Sequence, residues 1–446
     1  MNKIRLFIER SCLSCVSSMV IFIAGFLIWQ SAIAGNASLN SELQNQRIGS
    51  EILIQLEQEI GKTLKQVNLN QIGRKDLQGG YAVDKQGRVV GLNLNETQLA
   101  SIPDTVFSLK YLQKLSLVKN QLQELPDTFT QLHNLVYLDV RYNELQDLPT
   151  SLGQVKSLKF LYLGHNRLQD LPISFAQLQN LEILGLGKNQ LQKIPTSVSL
   201  LENLSRLYLH ENQLRTLPTW LGQLQNLTIL GLQKNQLQAL PESIGQLKSL
   251  QKLYLNDNDL EELPTSFSQL KKLQLARLDS NQLFDLPEEI LNLNLNILWK
   301  TGKIKQDITV GNNPLVSPSP EIIQQGQQAI QDYFKVKPII YMAIYSLTGL
   351  KTPMEEYLTY KGKWPDSAKA MGFNITNPYM ESINIDPLTY TCTLTIKNQL
   401  GDASLTKLIG GKTMQISFDI KTQSWKCGSG QNNPIDTKYL PSLCRS

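Results

Sequence analysis

At 446 residues the chain is too long for one compact core, so two or more modules are expected. Its net charge is +5; the excess sits in residues 1–34 and 321–446, and the stretch between them is neutral. That is too little to build the basic surface nucleic acid requires, so no nucleic-acid partner is expected.

The first 34 residues read as a targeting segment. Lys3, Arg5 and Arg10 precede an apolar run from Val16 to Trp29, and Ala32-Ile33-Ala34 supplies an A-x-A site before Gly35. A signal peptide over residues 1–34 implies export to the periplasm, the cell surface or the medium. The alternative is an uncleaved inner-membrane anchor over residues 13–29, and membrane contact is expected only then. Residues 35–90 read as an N-terminal cap. Ile48, Ile52, Leu56 and Ile60 give Ser41 to Gln66 a helical spacing that could lie across the exposed end of a leucine core, and Tyr81 to Leu94 reads as a hairpin broken at Lys85-Gln86-Gly87.

From Leu92 to Leu315 the text repeats. Pro103, Pro126, Pro149, Pro172, Pro195, Pro218, Pro241, Pro264 and Pro287 follow one another at steps of 23 residues, and the text between them runs L-x-x-L-x-L-x-x-N-x-L-x-x-L-P. The pattern is that of the leucine-rich repeat, which implies a solenoid of stacked coils over residues 91–320. The L-x-L pair, such as Leu115 and Leu117, alternates like a strand with one buried face. Asn120, Asn143, Asn166, Asn189, Asn212, Asn235, Asn258 and Asn281 stand where the chain turns, and an amide there can satisfy backbone groups between coils. The leucine-proline step then begins the convex side. After Pro287 the asparagine returns late, at Asn313, with Ile308 and Val310 as its strand pair; an insertion over residues 299–307 is expected, read as a surface loop.

The same pattern orders the outward positions of the strands. One column runs through Lys114, Tyr137, Phe160, Arg206 and Lys252; a central one holds Asp139, Tyr162, Tyr208, Tyr254 and Arg277; a third holds Arg141, His210 and Asp279. Tyrosine and arginine are enriched at binding hot spots, so these residues are the candidate concave site for a protein or peptide ligand. Glycines between the tyrosines, Gly185 and Gly231, are expected to leave gaps beside the rings. His133, His165 and His210 are read as solvent-facing repeat positions, and no metal site is expected.

The last part, residues 321–446, changes character. A helix from Glu321 to Phe334 is followed by a second from Tyr341 to about Tyr360, stopped by Gly362 and Pro365. Four strand-like runs come next: Tyr379 to Ile385, Tyr390 to Ile396, Met414 to Ile420 and Ser424 to Cys427. Helix plus antiparallel meander is an α+β module. Ser346 to Thr352, Glu356-Tyr357, Gly362-Lys363-Trp364-Pro365, Trp425-Lys426-Cys427, Lys438-Tyr439-Leu440-Pro441 and Cys444-Arg445 resemble the globular part of type IV pilins. That resemblance implies a disulfide between Cys427 and Cys444 closing an exposed loop, and a cell-surface or pilus partner for the module. Cys392 is left over, as a buried thiol. The sequence departs from the family in one respect: the long apolar helix that precedes a pilin head is absent here, the only apolar run lying upstream of the repeats.

No P-loop, G-x-S-x-G, H-E-x-x-H or Cys–His pairing occurs, so no catalytic residue is named and no cofactor is expected. Gly410-Gly411-Lys412-Thr413 reads as a hairpin turn. The expected architecture is an α/β leucine-rich repeat solenoid of about ten coils, then a small pilin-like α+β domain with a four-stranded antiparallel sheet. The expected function is that of an exported, non-enzymatic binding or adhesion protein. The alternatives are a minor structural component of a pilus and a secreted effector acting through the repeats.

Overall fold

The computed structural model of the chain describes residues 49–74, 77–299, 307–374, 377–419, 422, 424–441 and 444. The expected targeting segment and the start of the expected capping helix lie outside them. They form two compact units: one runs to Asn189 and includes Thr196–Leu201, and the other comprises Gln190–Pro195 and the described residues from Glu202 onward.

In both units the coil closes by the same local chemistry. The first leucine of an L-x-L pair centres a three-residue strand and the second follows it directly, both wholly buried, as at Leu115 and Leu117 or Leu253 and Leu255. The residue before each asparagine then takes a left-handed backbone, with φ 57° at Lys119 and 58° at Tyr142 in the first unit, and 57° at Lys234 and 58° at Asp257 in the second. A side chain in that region costs about 1 kcal/mol. The asparagine offsets it. Asn143 Nδ2 donates to the carbonyls of Leu117 (3.0 Å) and Val140 (2.9 Å), and its Oδ1 accepts from the N–H of Leu122 at 3.1 Å. Asn258 makes the equivalent bonds to Leu232, Leu255 and Leu237. The proline fixes φ (−68° at Pro149, −70° at Pro241) and opens a 3-10 turn, Thr150–Gln154 or Glu242–Gln246.

Some of these turns touch the next coil so closely that only glycine fits. A Cβ on Gly153 would stand 2.3 Å from the carbonyl oxygen of Ser174. Gly153→Ala is therefore expected to cost about 1–3 kcal/mol, read as a lower urea midpoint; an unchanged midpoint would show that the coils part freely at this point.

In the first unit, helix α1 (residues 49–60) buries Leu53 and Leu56, while Ile52 and Ile60 are only half-buried. Strand β1 (Lys65–Gln66) pairs in parallel with β2 (Gly80–Val83), which turns into antiparallel β3 (Val89–Asn93), the expected hairpin. Strands β4 (Lys114–Ser116), β5 (Tyr137–Asp139), β6 (Phe160–Tyr162) and β7 (Ile183–Gly185) follow in parallel, with Gly91, Lys114, Tyr137, Phe160 and Ile183 in one row. Between β1 and β2 the chain crosses the outward face of the strands, which the sequence did not indicate. Ile72 is buried there, and a Cβ on Gly91 would meet Leu69 Cδ1 at 2.8 Å and Ile72 Cγ1 at 2.9 Å.

In the second unit, β8 (Arg206–Tyr208), β9 (Ile229–Gly231), β10 (Lys252–Tyr254) and β11 (Leu275–Arg277) run parallel in chain order. Then the order reverses. Strand β12 (Asn296–Leu298) stands where the next coil should begin, but β13 (Asp307–Thr309) pairs with β11 and β12 pairs with the far side of β13. Ile308 and Val310 are wholly buried, as the late repeat requires, and Asn313 donates to the carbonyls of Leu278 (2.9 Å) and Val310 (2.8 Å). The displaced strand β12 thus lies just before the expected insertion, of which residues 300–306 lie outside the described residues.

The C-terminal module belongs to the second unit. Helices α2 (Pro320–Gln324), α3 (Gln327–Thr348) and α4 (Lys351–Lys361) precede strands β14 (Met380–Asp386) and β15 (Thr391–Ile396), helix α5 (Ala403–Ile409), and strands β16 (Thr413–Asp419) and β17 (Ser424–Ser429), which pair as an antiparallel meander. The helix expected to stop at Phe334 instead breaks at Gly326, where φ is 97°, and α3 runs on through Pro338. Its buried stripe, Ile330, Phe334, Ile340, Ala343 and Leu347, outweighs the one backbone bond proline removes. Gly410-Gly411 closes α5 rather than a hairpin; Asp402 Oδ1 caps that helix by accepting from the N–H groups of Ser404 (2.7 Å) and Leu405 (3.2 Å).

The start of α3 is seated on the last coil. The N–H of Ile297 donates to Gln327 Oε1 (3.1 Å), Tyr333 Oη bonds Ser317 Oγ (2.6 Å), and Lys337 Nζ pairs with Asp285 at 3.1 Å. Among the described residues no helix is long and apolar enough to cross a membrane.

Candidate functional site

The expected site residues divide between the two units. In the first, six come together on the outward face of β4 to β6, but they are largely engaged with one another. Asp139, read as facing a partner, has no exposed surface. Its carboxylate accepts from Arg141 Nε (2.8 Å) and Nη2 (2.6 Å) and from Tyr137 Oη (3.0 Å). Burial, and then the Asp139 charge, push the Tyr137 phenol far above its ordinary pKa, so it remains a donor. The hydrogen bonds that Arg141 donates to Asp139 raise the pKa of its guanidinium. Lys114 is half-buried: its Nζ donates to the Leu69 carbonyl (3.3 Å) and lies 5.9 Å from the Tyr137 ring centre. Arg141 sits over Tyr162 at 5.2 Å, and Tyr137 lies 6.5 Å from Phe160. The depression beside this network, lined by Asn95, Glu96, Lys119, Arg141 and Tyr142, holds about 250 Å³, below the size usual for a ligand site.

In the second unit Arg206 is exposed, while Tyr208, His210, Lys252, Tyr254, Arg277 and Asp279 are half-buried on the outward face of β8 to β11. The expected gaps beside the tyrosines are filled: Tyr208 Cδ1 lies 3.3 Å from where a Gly231 Cβ would stand, and in the first unit Tyr162 Cδ1 lies 3.1 Å from that of Gly185. The glycines let the rings lie flat. Toward β13 the face opens into a depression of about 650 Å³ lined by Tyr254, Asn256, Arg277, Asp279, Trp299 and Asn312 among others. Asp279 accepts on both oxygens, its Oδ2 from the Thr309 hydroxyl and its Oδ1 from the N–H of Gly311 at 3.2 Å. Arg277 is not: its Nη1 is sheltered from solvent and meets no acceptor among the described residues.

Trp299 and Asn312 were missed by the sequence columns because β12 and β13 break the 23-residue period. The broken period was itself the available signal. His133 is exposed as expected, whereas His165 stacks on Tyr142 with ring centres 3.7 Å apart. Among the described residues no cluster of three or more His, Cys, Asp or Glu side chains could hold a metal ion.

In the C-terminal module Cys427 and Cys444 form a disulfide with Cα atoms 4.7 Å apart. Trp364 is buried against Phe418, Tyr390 and Trp425, and Trp425 Nε1 donates to Glu355 at 2.7 Å. Cys392 is buried and unpaired, and burial pushes its thiol up to about 12.

Comparison with known families agrees with both halves of this architecture. Residues 88–145, 137–191, 156–214 and 179–237 match the leucine rich repeat, residues 219–309 match a leucine-rich repeat region, and residues 341–445 match the pilin of bacterial filaments. The chain thus carries a leucine-rich repeat solenoid followed by a pilin-type domain. No curated protein matches it. Among solved structures, it resembles the Arabidopsis receptor kinase HAESA in complex with the peptide hormone IDA and the co-receptor SERK1, at 29% identity over 55% of this chain and 42% of that one, TM-score 0.46. It also resembles a plant peptide hormone receptor, RGFR1 in complex with RGF2 (28% identity, 49% and 39% coverage, TM-score 0.43), and a leucine-rich repeat protein of Leptospira interrogans (31%, 51% and 79%, TM-score 0.26). The chain spans about two fifths of the length of the two plant receptors.

Proposed function

We propose that this is an exported, non-enzymatic binding protein. The strand-lined face of the repeats recognises a protein or peptide, and the pilin-type domain, with its disulfide-closed loop, serves as an adhesive or docking head. The observation that carries the reading is the second unit's outward face, where Arg206 and Tyr208 keep part of their surface open and Tyr254 and Arg277 line a depression of about 650 Å³. Large rigid rings beside guanidinium groups are what peptide recognition uses at its energetic centres. Export is supported by the disulfide, which persists in oxidising compartments.

The test is selection of peptides from a random displayed library against the full chain. Enriched peptides are expected to lose roughly tenfold or more in affinity when Tyr208 and Tyr254 are both changed to alanine. Peptides indifferent to both changes would overturn the reading. The match of residues 341–445 to pilin supports a second reading, a minor pilus component. In that case the head would be recovered in sheared filaments whether or not the tyrosines are intact. A secreted effector acting through the repeats would instead keep its activity when the Cys427–Cys444 loop is opened.

A further inference from the structure

Arg141 and Arg277 both stand on the outward face of the repeats, with an aspartate two residues away in each case, yet their situations are opposite. Arg141 places two nitrogens on Asp139, at 2.6 and 2.8 Å. Arg277 makes no such pair: its Nη1 meets no acceptor among the described residues, while Asp279 accepts from Thr309 and Gly311. The other carboxylate lining the depression, Asp257, accepts from Asn256 Nδ2 at 2.7 Å. Asp307 on β13, the strand beside β11, is wholly buried and is not among the depression's walls; its Oδ2, like Arg277 Nη1, has no hydrogen-bond partner among the described residues. Arg277 Nη1 is therefore, among the described residues, a guanidinium nitrogen beside the depression that meets no acceptor. A sheltered charged donor left unsatisfied costs more than a typical hydrogen bond contributes, so a residue chosen for stability alone would be of another type. At 650 Å³ the depression is within the range of small-ligand sites, and Trp299 and Tyr254 give it flat apolar walls.

We propose that this depression is a carboxylate subsite, in which Arg277 takes the carboxylate and Trp299 and Tyr254 flank the carbon skeleton that bears it. A neutral carbonyl would accept one hydrogen, whereas the two oxygens of a carboxylate match the guanidinium's paired donors on a wall that also carries Asp257 and Asp279. The carboxylate can come from an acidic side chain or from a chain terminus; both present the same two oxygens to the fork of an arginine. The proposal rests on the strand-lined face being a recognition surface and adds the chemistry of what one part of it recognises.

The test uses the full chain and its Arg277→Gln variant. The probes are peptides of one sequence, with an internal Glu or Gln and with a free or amidated end, together with glutarate, titrated by calorimetry. Members carrying a carboxylate are expected to bind roughly tenfold or more tightly than their amide counterparts, with the preference abolished in Arg277→Gln and the Tm of that variant unchanged or raised. Comparison of the internal-Glu and free-end arms tells which source is used. A preference that survives in Arg277→Gln, a lowered Tm with unchanged binding, or no preference at all overturns the subsite while leaving peptide recognition intact. Failure of every peptide with Arg277-dependent glutarate binding would overturn peptide recognition and leave the subsite; absence of both would overturn both.

Discussion

Asp139→Ala is expected to lower the unfolding free energy by about 3 kcal/mol, the largest loss of any single change on the outward face of the first unit. The carboxylate has no exposed surface, whereas the Arg141 side chain keeps 30% of its own. Its removal leaves a guanidinium and the Tyr137 hydroxyl, both held in place by packing, without their acceptor. The measurement is a urea titration with the slope compared between variants, since a changed slope would mean that the unfolded or folded ensemble had altered as well. Asp139→Asn should recover part of the loss by accepting from Arg141 through its remaining oxygen. A loss near 0.5 kcal/mol, typical of an exposed ion pair, would mean that the network is more open to water than its burial indicates.

Opening the Cys427–Cys444 link, by changing both to serine, is expected to remove about 3 kcal/mol from the pilin-type domain, the value chain entropy gives for a loop of roughly this length. The cysteines are 17 residues apart, and the segment between them carries Ile435, Tyr439 and Leu440 into the core. The aromatic cluster of Trp364, Phe418 and Trp425 lies beside β17, so tryptophan emission should report the domain's transition at a lower denaturant concentration. Cys392 should not exchange into the bond: its thiol, with a pKa of about 12, remains protonated at neutral pH and is shielded from solvent. An unchanged midpoint would show that burial of Tyr439 and Leu440 alone secures the segment.

What the sequence revealed was whatever repeats. Leucine, asparagine and proline recur at fixed offsets because each does one job in every coil, and the strands, the amide ladder and the 3-10 turns all fall where the period puts them. Asn313 could be placed despite its late arrival because its slot has a unique chemistry. Features without a repeat were harder to see. Nothing local marks residues 69–73 as lying across the strands; that contact joins Leu69 and Ile72 to Gly91 and depends on where the chain returns. The outward columns named the right side of the sheet, but period two gives direction and not exposure, so Asp139 read as partner-facing while it is sealed beneath Arg141 and Tyr137. The helix expected to end at Phe334 continues past Pro338, and only the apolar stripe on both sides of that proline shows why. The α5 helix was legible in hindsight from Asp402, whose side chain suits the first position of a helix.

The seating of α3 on the last coil has a mechanical consequence. With Gln327, Tyr333 and Lys337 fastened to Ile297, Ser317 and Asp285, no slack tether separates the head from the coils it adjoins. Tension applied to the disulfide-closed end would travel down a 22-residue rod and pull on the edge of the leucine stack itself. The joint would yield by peeling off the final coil, so the strength of any attachment made through the head is set by how firmly β12 and β13 hold to β11.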